Sequence, residues 1–243
     1  MWKILAVDNF LCYNRAMEIE KYLGLIKEEY FEKFELFKNL LIESNKICNI
    51  TSILDEKGIL YKHFLDSIAG ESLFLKGAEV VEIGSGGGFP SIPLKIIRED
   101  LKLTLIESTS KKCTYLNGVV DKLKLDCVQV LNLRAEEGAH KDFLREKFDI
   151  ACARAVAKLN TLCEYCLPYV KLGGKFVAYK GNCNEELDEA KNAIKILGGE
   201  IENILNYELP EDNGKRCLVV IKKIKPTPSL YPRGHGMERK KPL

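Results

Sequence analysis

Four of the five positions from 84 to 88 are glycine (Gly84, Gly86, Gly87 and Gly88), directly after the apolar run "EVVEI" at 79–83. Glycine weakens regular elements. It is favoured where the backbone turns sharply or lies against a ligand. A second apolar run, "LKLTLIE" at 101–107, ends in Glu107, about twenty residues further on. A carboxylate at that remove can accept hydrogen bonds from both hydroxyls of a ribose. Loop and acid together suit a ligand that carries a nucleoside. A dinucleotide site expects G-x-G-x-x-G. Counted from Gly84 the sixth residue is Phe89, and from Gly86 it is Ser91, so that pattern is not met. The spacing present is G-x-G-x-G with a bulky Phe89 after it.

Other residue types with chemical capacity are fewer than their counts suggest. Nine cysteines is an odd number. The opening stretch "MWKILAVDNFLCYNRAMEIEKYLG" has no export signal, so a disulfide framework is not expected. Cys163 and Cys166 form a C-x-x-C, yet no second pair or His-x-His completes a zinc set, so they read as small buried apolar residues and no metal is expected. His140 and His235 have polar neighbours. His63 stands in "YKHFLDS" with Asp66 three residues later, on one helical face. That spacing suits either orientation of a substrate or a structural His–Asp pair.

The elements that must hold these residues follow from periodicity. Leu23, Ile26, Tyr30, Phe34, Phe37 and Leu41 recur at spacings of three and four, which predicts a helix within 15–50. A second short helix is expected over 58–69. From 79 the pattern alternates: strands at 79–83, 101–107, 127–132, 148–153 and 173–181, with helical segments between them. Two closing strands are expected in "EIENILNYEL" and "RCLVVIKKI". Regular alternation of strand and helix is the mark of an open, mostly parallel α/β sheet. In such sheets ligands bind beyond the carboxyl ends of the strands, where Gly84–Gly88 and Glu107 fall.

The glycine loop resembles the first motif of the seven-stranded methyltransferases that bind S-adenosyl-L-methionine. The resemblance sharpens with "NKICNITSI…HFLDSIA", "EIGSGGGFPSIPLKI", "LIESTSKKCTYLN", "RAEEGA", "FDIACARAVAKLN" and the closing "KIKPTPSLYPRGHG…KKPL". From about residue 40 to 243, the order and wording of these segments are similar to the GidB/RsmG family. Its members are bacterial methyltransferases acting on N7 of one guanine in 16S ribosomal RNA. The resemblance implies an α/β, Rossmann-like, seven-stranded S-adenosylmethionine-dependent methyltransferase fold with an N-terminal helical extension. The expected divisions are 1–70 for that extension, 71–225 for the methyltransferase domain and 226–243 for a basic C-terminal tail. The implied cofactor is S-adenosyl-L-methionine, with S-adenosyl-L-homocysteine as product. The implied partner is 16S ribosomal RNA or the small-subunit particle, met by a cytoplasmic monomer without membrane attachment. A methyltransferase for another acceptor, or a cofactor-binding RNA module without turnover, stays open as an alternative.

Carried across residue by residue, the resemblance implies cofactor contacts at Gly84, Gly86, Gly88, Phe89, Glu107, Ala135, Glu136 and Arg154. Phe89 would shield the apolar part of the cofactor, and Ala135 and Glu136 would read the adenine edge. Arg154, in the loop after the fourth strand, is the candidate catalytic residue, since a guanidinium can hold a carboxylate or phosphate in a bidentate pair. Glu82 and Glu107 are longer than the aspartates expected at their positions. Guanine N7 has a free lone pair and no proton, so its attack requires alignment and no general base. The segment after strand four accordingly lacks the Pro-Pro-aromatic clamp used on exocyclic amines.

The stretch 222–243 holds seven Lys/Arg against one acid. The whole chain has 37 Lys/Arg and 35 Asp/Glu, so what precedes that stretch is net acidic. A basic chain end of this kind suits a polyanion. Lys222, Lys223, Lys225, Arg233, Arg239, Lys240 and Lys241 are therefore expected to meet phosphates, and Tyr231 to stack on a base.

Overall fold

A computed structural model describes Gly24 and residues 26–154, 157–181 and 183–243. The first part of the predicted 15–50 helix, including Leu23, lies outside the described residues. Its remainder is α1, Phe31–Cys48, preceded by one tight turn at Glu28–Tyr30. The predicted three- and four-residue spacing is realised: Phe34, Phe37, Leu40 and Leu41 are buried on one face. Asn49 ends α1 in the left-handed region, and the Asn45 side chain accepts from the amides of Ile50 and Thr51 at 2.6 and 2.8 Å. That cap fixes where Thr51 sits.

A helical run over 56–68, α2, follows. It comprises an α turn at Glu56–Gly58, a π-helical stretch at Ile59–Leu65 and a last α turn at Asp66–Ile68. Asp55 caps it by accepting from the Gly58 amide at 2.7 Å. Widened turns of this type are common where a helix serves a site.

Seven strands then form one sheet: β1 (Glu79–Ile83), β2 (Lys102–Glu107), β3 (Val128–Asn132), β4 (Phe148–Arg154), β5 (Val170–Lys180), β6 (Gly199–Glu208) and β7 (Lys215–Lys223). Their spatial order is β3-β2-β1-β4-β5-β7-β6. The first five are parallel, and β7 runs antiparallel between β5 and β6. The order reverses between β1 and β4, the point at which such sheets open a crevice for a ligand. The connecting helices are α3 (Ser91–Ile97), α4 (Ser110–Leu123), α5 (Ala135–Gly138), α6 (Leu159–Cys166) and α7 (Asn184–Ile196), with α8 (Met237–Lys240) near the C-terminus.

Period-two alternation divides the core between the two faces. Val80, Leu105, Ile150 and Val177 point to one face, where α1 to α4 pack. Val81, Ile106, Ala151 and Ala178 point to the other, covered by α6 and α7. The helices of 31–68 thus share a core with the sheet. Two local expectations shift. "KLGGK" is a bulge inside β5, where the register with β4 jumps from Phe148↔Val170 to Ile150↔Lys175. "AEEG" forms the unexpected short helix α5.

Candidate active site

Gly84, Gly86 and Gly88 all have positive φ (70°, 51° and 86°), so the loop from β1 to α3 needs the conformation that glycine allows. The Gly84 amide donates to the Ile106 carbonyl at 2.9 Å, tying the loop to the end of β2. The Gly86 amide donates to Glu107 Oε2 at 2.9 Å, and the Thr109 amide donates to Oε1 at 2.7 Å. The longer glutamate side chain therefore braces the glycine loop. Glu82, beneath it, accepts from the Ser91 amide at 3.2 Å, and its Oε1 has no partner among the described residues. Complete burial pushes Glu82 up to about 7.

Beyond the ends of β1 to β3 opens a cleft of about 760 Å³. Gly84, Ile106, Ser108, Leu133, Ala135 and Glu136 line it, so the glycine loop, the end of β2 and the start of α5 converge there. At the end of β4 lies a second cavity of about 420 Å³, lined by Lys62, His63, Asp66, Arg154, Lys180 and Arg216 among others. Arg154 faces this cavity and is not part of the cleft lining; Gly86, Gly88, Phe89 and Glu107 are also outside that lining, with Gly86 and Glu107 adjoining its members through the loop and Ser108.

Arg154 is held on every side. Nη1 donates to the Lys62 carbonyl at 2.7 Å and to Asp66 Oδ2 at 3.0 Å, and Nη2 contacts His63 Nδ1 at 3.0 Å. Its Cζ lies 4.8 Å from the Phe89 ring centroid. A guanidinium only donates, so His63 Nδ1 accepts and Nε2–H donates to Thr51 Oγ1 at 2.9 Å. Burial, and then the Arg154 charge, lower His63 to about 3, which keeps the imidazole neutral. The Tyr207 hydroxyl donates to Asp66 Oδ1 at 2.7 Å. The histidine therefore has neither a free nitrogen nor the basicity to remove a proton.

Several expected roles are corrected. Phe89 is buried at 6%, with its ring stacked on His63 at 4.4 Å and set against Phe37 and Phe64. Its side chain packs in the core and backs Arg154. Lys223 is fully buried: Nζ donates to the Leu167 carbonyl and pairs with Glu146, and burial lowers its pKa to about 8. It meets no phosphate. Lys222 is exposed about 17 Å down β7 from the strand ends that carry the site, five residues from Cys217 at 3.3 Å each, and exposed Lys225 lies beyond the end of β7. Tyr231 is partly buried, packed against the core. Arg233 gives its main-chain amide, Nε and Nη2 to buried Glu164 at 2.7–2.9 Å. Arg239, Lys240 and Lys241 are exposed. Sequence reading missed Lys62, Lys180 and Arg216, whose positions 62, 180 and 216 meet only through the sheet order. Cys163 and Cys166 are buried in α6, and no metal-holding cluster occurs among the described residues.

A family model, GidB, described as rRNA small subunit methyltransferase G, matches residues 30–213. The chain belongs to the GidB family. Ribosomal RNA small subunit methyltransferase G of Clostridium perfringens (strain SM101) is 45% identical over 219 residues, covering 89% of this chain and 92% of its own. That of Acetivibrio thermocellus is 45% identical over 220 residues, 90% of each chain. That of Lactobacillus helveticus is 43% identical over 232 residues, 93% of this chain and 97% of its own. Among solved structures, M. jannaschii TYW2 in complex with AdoMet gives a TM-score of 0.56 at 15% identity, over 71% of this chain and 80% of that one. MtNAS in complex with MTA and tNA gives 0.54 at 16%, over 77% and 71%. At these identities the likeness is one of fold, the Rossmann-like sheet of S-adenosylmethionine-dependent methyltransferases.

S-adenosylmethionine is the cofactor that this GidB chain implies, and the cleft residues fit it. A Cβ built on Gly86 meets nothing closer than the Gly84 carbonyl at 3.7 Å, so the space above the loop is open to a ligand. Each Glu107 oxygen holds one short amide bond and retains acceptor capacity for hydroxyls. Ile83, Ile106 and Leu133 offer apolar walls to a flat ring.

Proposed function

We propose that this GidB-family chain transfers a methyl group from S-adenosyl-L-methionine to N7 of a guanine in 16S ribosomal RNA, acting as a cytoplasmic monomer. Bound in the cleft, the cofactor supplies an electrophilic methyl on a sulfonium. The chain's own residues do the rest: the Glu107 carboxylate orients the nucleoside end, with Ala135 and Glu136 at the adenine. Arg154 then positions the acceptor nucleotide in the second cavity.

One observation carries this reading: both nitrogens of His63 are engaged beside Arg154, with no other imidazole lining that cavity. An acceptor that needs no deprotonation suits such a site, and guanine N7 is one. Four cations, Lys62, Arg154, Lys180 and Arg216, against Asp66 and Glu186 give the lining a surplus suited to a phosphate-bearing substrate. The RNA substrate and its small-subunit source come from the names of the relatives. No helix among the described residues is long and apolar enough to cross a membrane.

The test is labelled-methyl transfer from the cofactor to purified 16S RNA and to small-subunit particles, followed by mass spectrometry of the nucleosides. The expected product is N7-methylguanosine at one position. Label in another nucleoside, or in none, would overturn the reading.

A further inference from the structure

The chain end expected to be an RNA arm is built into the body of the protein. Thr227 is buried, and its amide donates to Glu146 at 2.8 Å. Arg145 donates to the carbonyls of Thr227, Pro228 and Tyr231 at 2.8, 3.2 and 3.0 Å. His140 holds the Pro232 carbonyl at 2.8 Å. Glu164, on α6, takes three donors from Arg233. Thr161, also on α6, donates to the Glu238 carbonyl at 3.0 Å, and the Gly234 amide donates to the buried Glu238 carboxylate. These contacts tie the chain end to residues 140–146, after α5, and to α6.

The strap ends at the cleft. Arg233, Gly234, His235, Gly236 and Arg239 line it, together with Gly84, Arg134 and Tyr165. Gly234 and Gly236 have φ of 78° and 75°, so the chain turns on both sides of His235 and presents it at the surface of the wall. Arg233 is committed to Glu164. Arg239 interacts with the Tyr165 hydroxyl, itself a lining group. Lys240 and Lys241, the next two residues, are exposed and outside the lining.

We propose that residues 233–239 are a wall of the cofactor site, where His235 and Arg239 donate hydrogen bonds to S-adenosylmethionine. This deepens the function proposed above and rests on the cofactor occupying this cleft. The chemistry is complementary: Glu107 and Glu136 give acceptors, while the cofactor's carboxylate, ring nitrogens and ribose oxygens require donors. His235 and Arg239 supply side-chain donors, since the amides of Gly84, Gly86 and Gly88 are given to Ile106, Glu107 and Ser85. The matched residues of the family model end at 213, before this strap begins.

The experiment is calorimetry of S-adenosylhomocysteine binding to the full chain. The variants are Arg239→Gln, His235→Ala, the pair Lys240→Ala with Lys241→Ala, and Gly86→Val as the control on the cleft. Positions 235 and 239 are exposed, and thermal unfolding verifies that each variant is folded. Arg239→Gln is expected to weaken binding about tenfold or more, the usual worth of a hydrogen bond from a charged donor. His235→Ala should weaken it less, and the Lys240/Lys241 pair should bind as wild type. If Gly86→Val loses binding while Arg239→Gln and His235→Ala keep the wild-type Kd, the wall is refuted and the cleft stands. If Gly86→Val also binds normally, the cleft itself is not the cofactor site and the inference falls with it. Wild-type cofactor affinity in Arg239→Gln, combined with weakened RNA binding, would return Arg239 to the RNA arm.

Discussion

The two cavities at the top of the sheet differ in how they are made. The cleft at β1–β3 is built from loops attached to their strands together with Arg233 to Gly236 and Arg239 of the chain end, and the tie of Gly86 to Glu107 beside it spans 21 residues. The cavity at β4 is assembled from α2, β4, β5 and β7, and its central arginine is held by bonds spanning 88 to 92 residues. The first sets Arg134, Arg233 and Arg239 against Glu136 and Glu137 beside apolar residues from the ends of β1 to β3. The second is a cationic pocket around an immobilised guanidinium. On the function proposed above, the contrast separates binding from positioning: one cavity takes a nucleoside of fixed shape, the other a charged polymer that must be aligned.

The largest effect that would test this contrast is loss of cofactor binding in Gly86→Val. The side chain enters open cleft space, and a branched residue at φ 51° costs stability of about 1–2 kcal/mol. Calorimetry should find no measurable S-adenosylhomocysteine binding in a protein that still unfolds cooperatively. Near-normal affinity would break the assignment of the cleft.

Next is Arg154→Ala, expected to lower single-turnover methylation at saturating RNA by about 10²-fold, the scale of a misplaced reactant. Its S-adenosylhomocysteine affinity should remain at the wild-type value. A combined loss of both would mean that the two cavities do not divide the work as argued.

A smaller effect concerns salt. Arg216→Ala removes a cation from the second cavity and should reduce the slope of log affinity against log salt by about 0.7, the release expected for one single-strand phosphate contact. Lys222→Ala with Lys225→Ala, at the far end of β7, should leave the slope unchanged. Filter binding across a salt series decides between them, and equal slopes in all three proteins would remove Arg216 from the RNA surface.

The smallest effect is in pH. His63 is depressed to about 3 in the folded chain against about 6.5 unfolded. Between those values the unfolded state binds the extra proton, so this group makes stability fall as pH falls, by at most about 1.4 kcal/mol per pH unit. Glu82, raised to about 7, acts oppositely above 4.5, because the folded state holds its proton longer. His63→Gln should therefore flatten the acid limb of urea-unfolding stability measured from pH 6 to 4. An unaltered limb would show that His63 is not buried neutral beside Arg154.

Much of the fold was legible because local pattern and tertiary role agree. All seven strands fall within a few residues of their expected places, since alternation of Val80 with Val81 or Leu105 with Ile106 reflects burial on two faces. The bulge in β5 escaped because "KLGGK" has the composition of a turn, and only pairing with β4 shows the strand continuing through it. Phe89 is a similar case. An aromatic after a glycine loop is equally suited to a ligand or to a core, and the arrival of α1 and α2 decides for the core.

The sequence by itself determined the glycine loop, its acid at Glu107 and the order of the elements, because each depends on neighbours in the chain or on a repeated period. Only the tertiary structure decided the fate of the basic residues. Lysine and arginine have the same composition whether solvated, paired or buried, and nothing local distinguishes Lys222 from Lys223. Lys223 is sealed against Leu167 and Glu146, Arg233 is locked to Glu164, and Arg216 reaches the second cavity. Charge is read from the chain, but its partners come from segments remote in sequence, which only folding brings within hydrogen-bond distance.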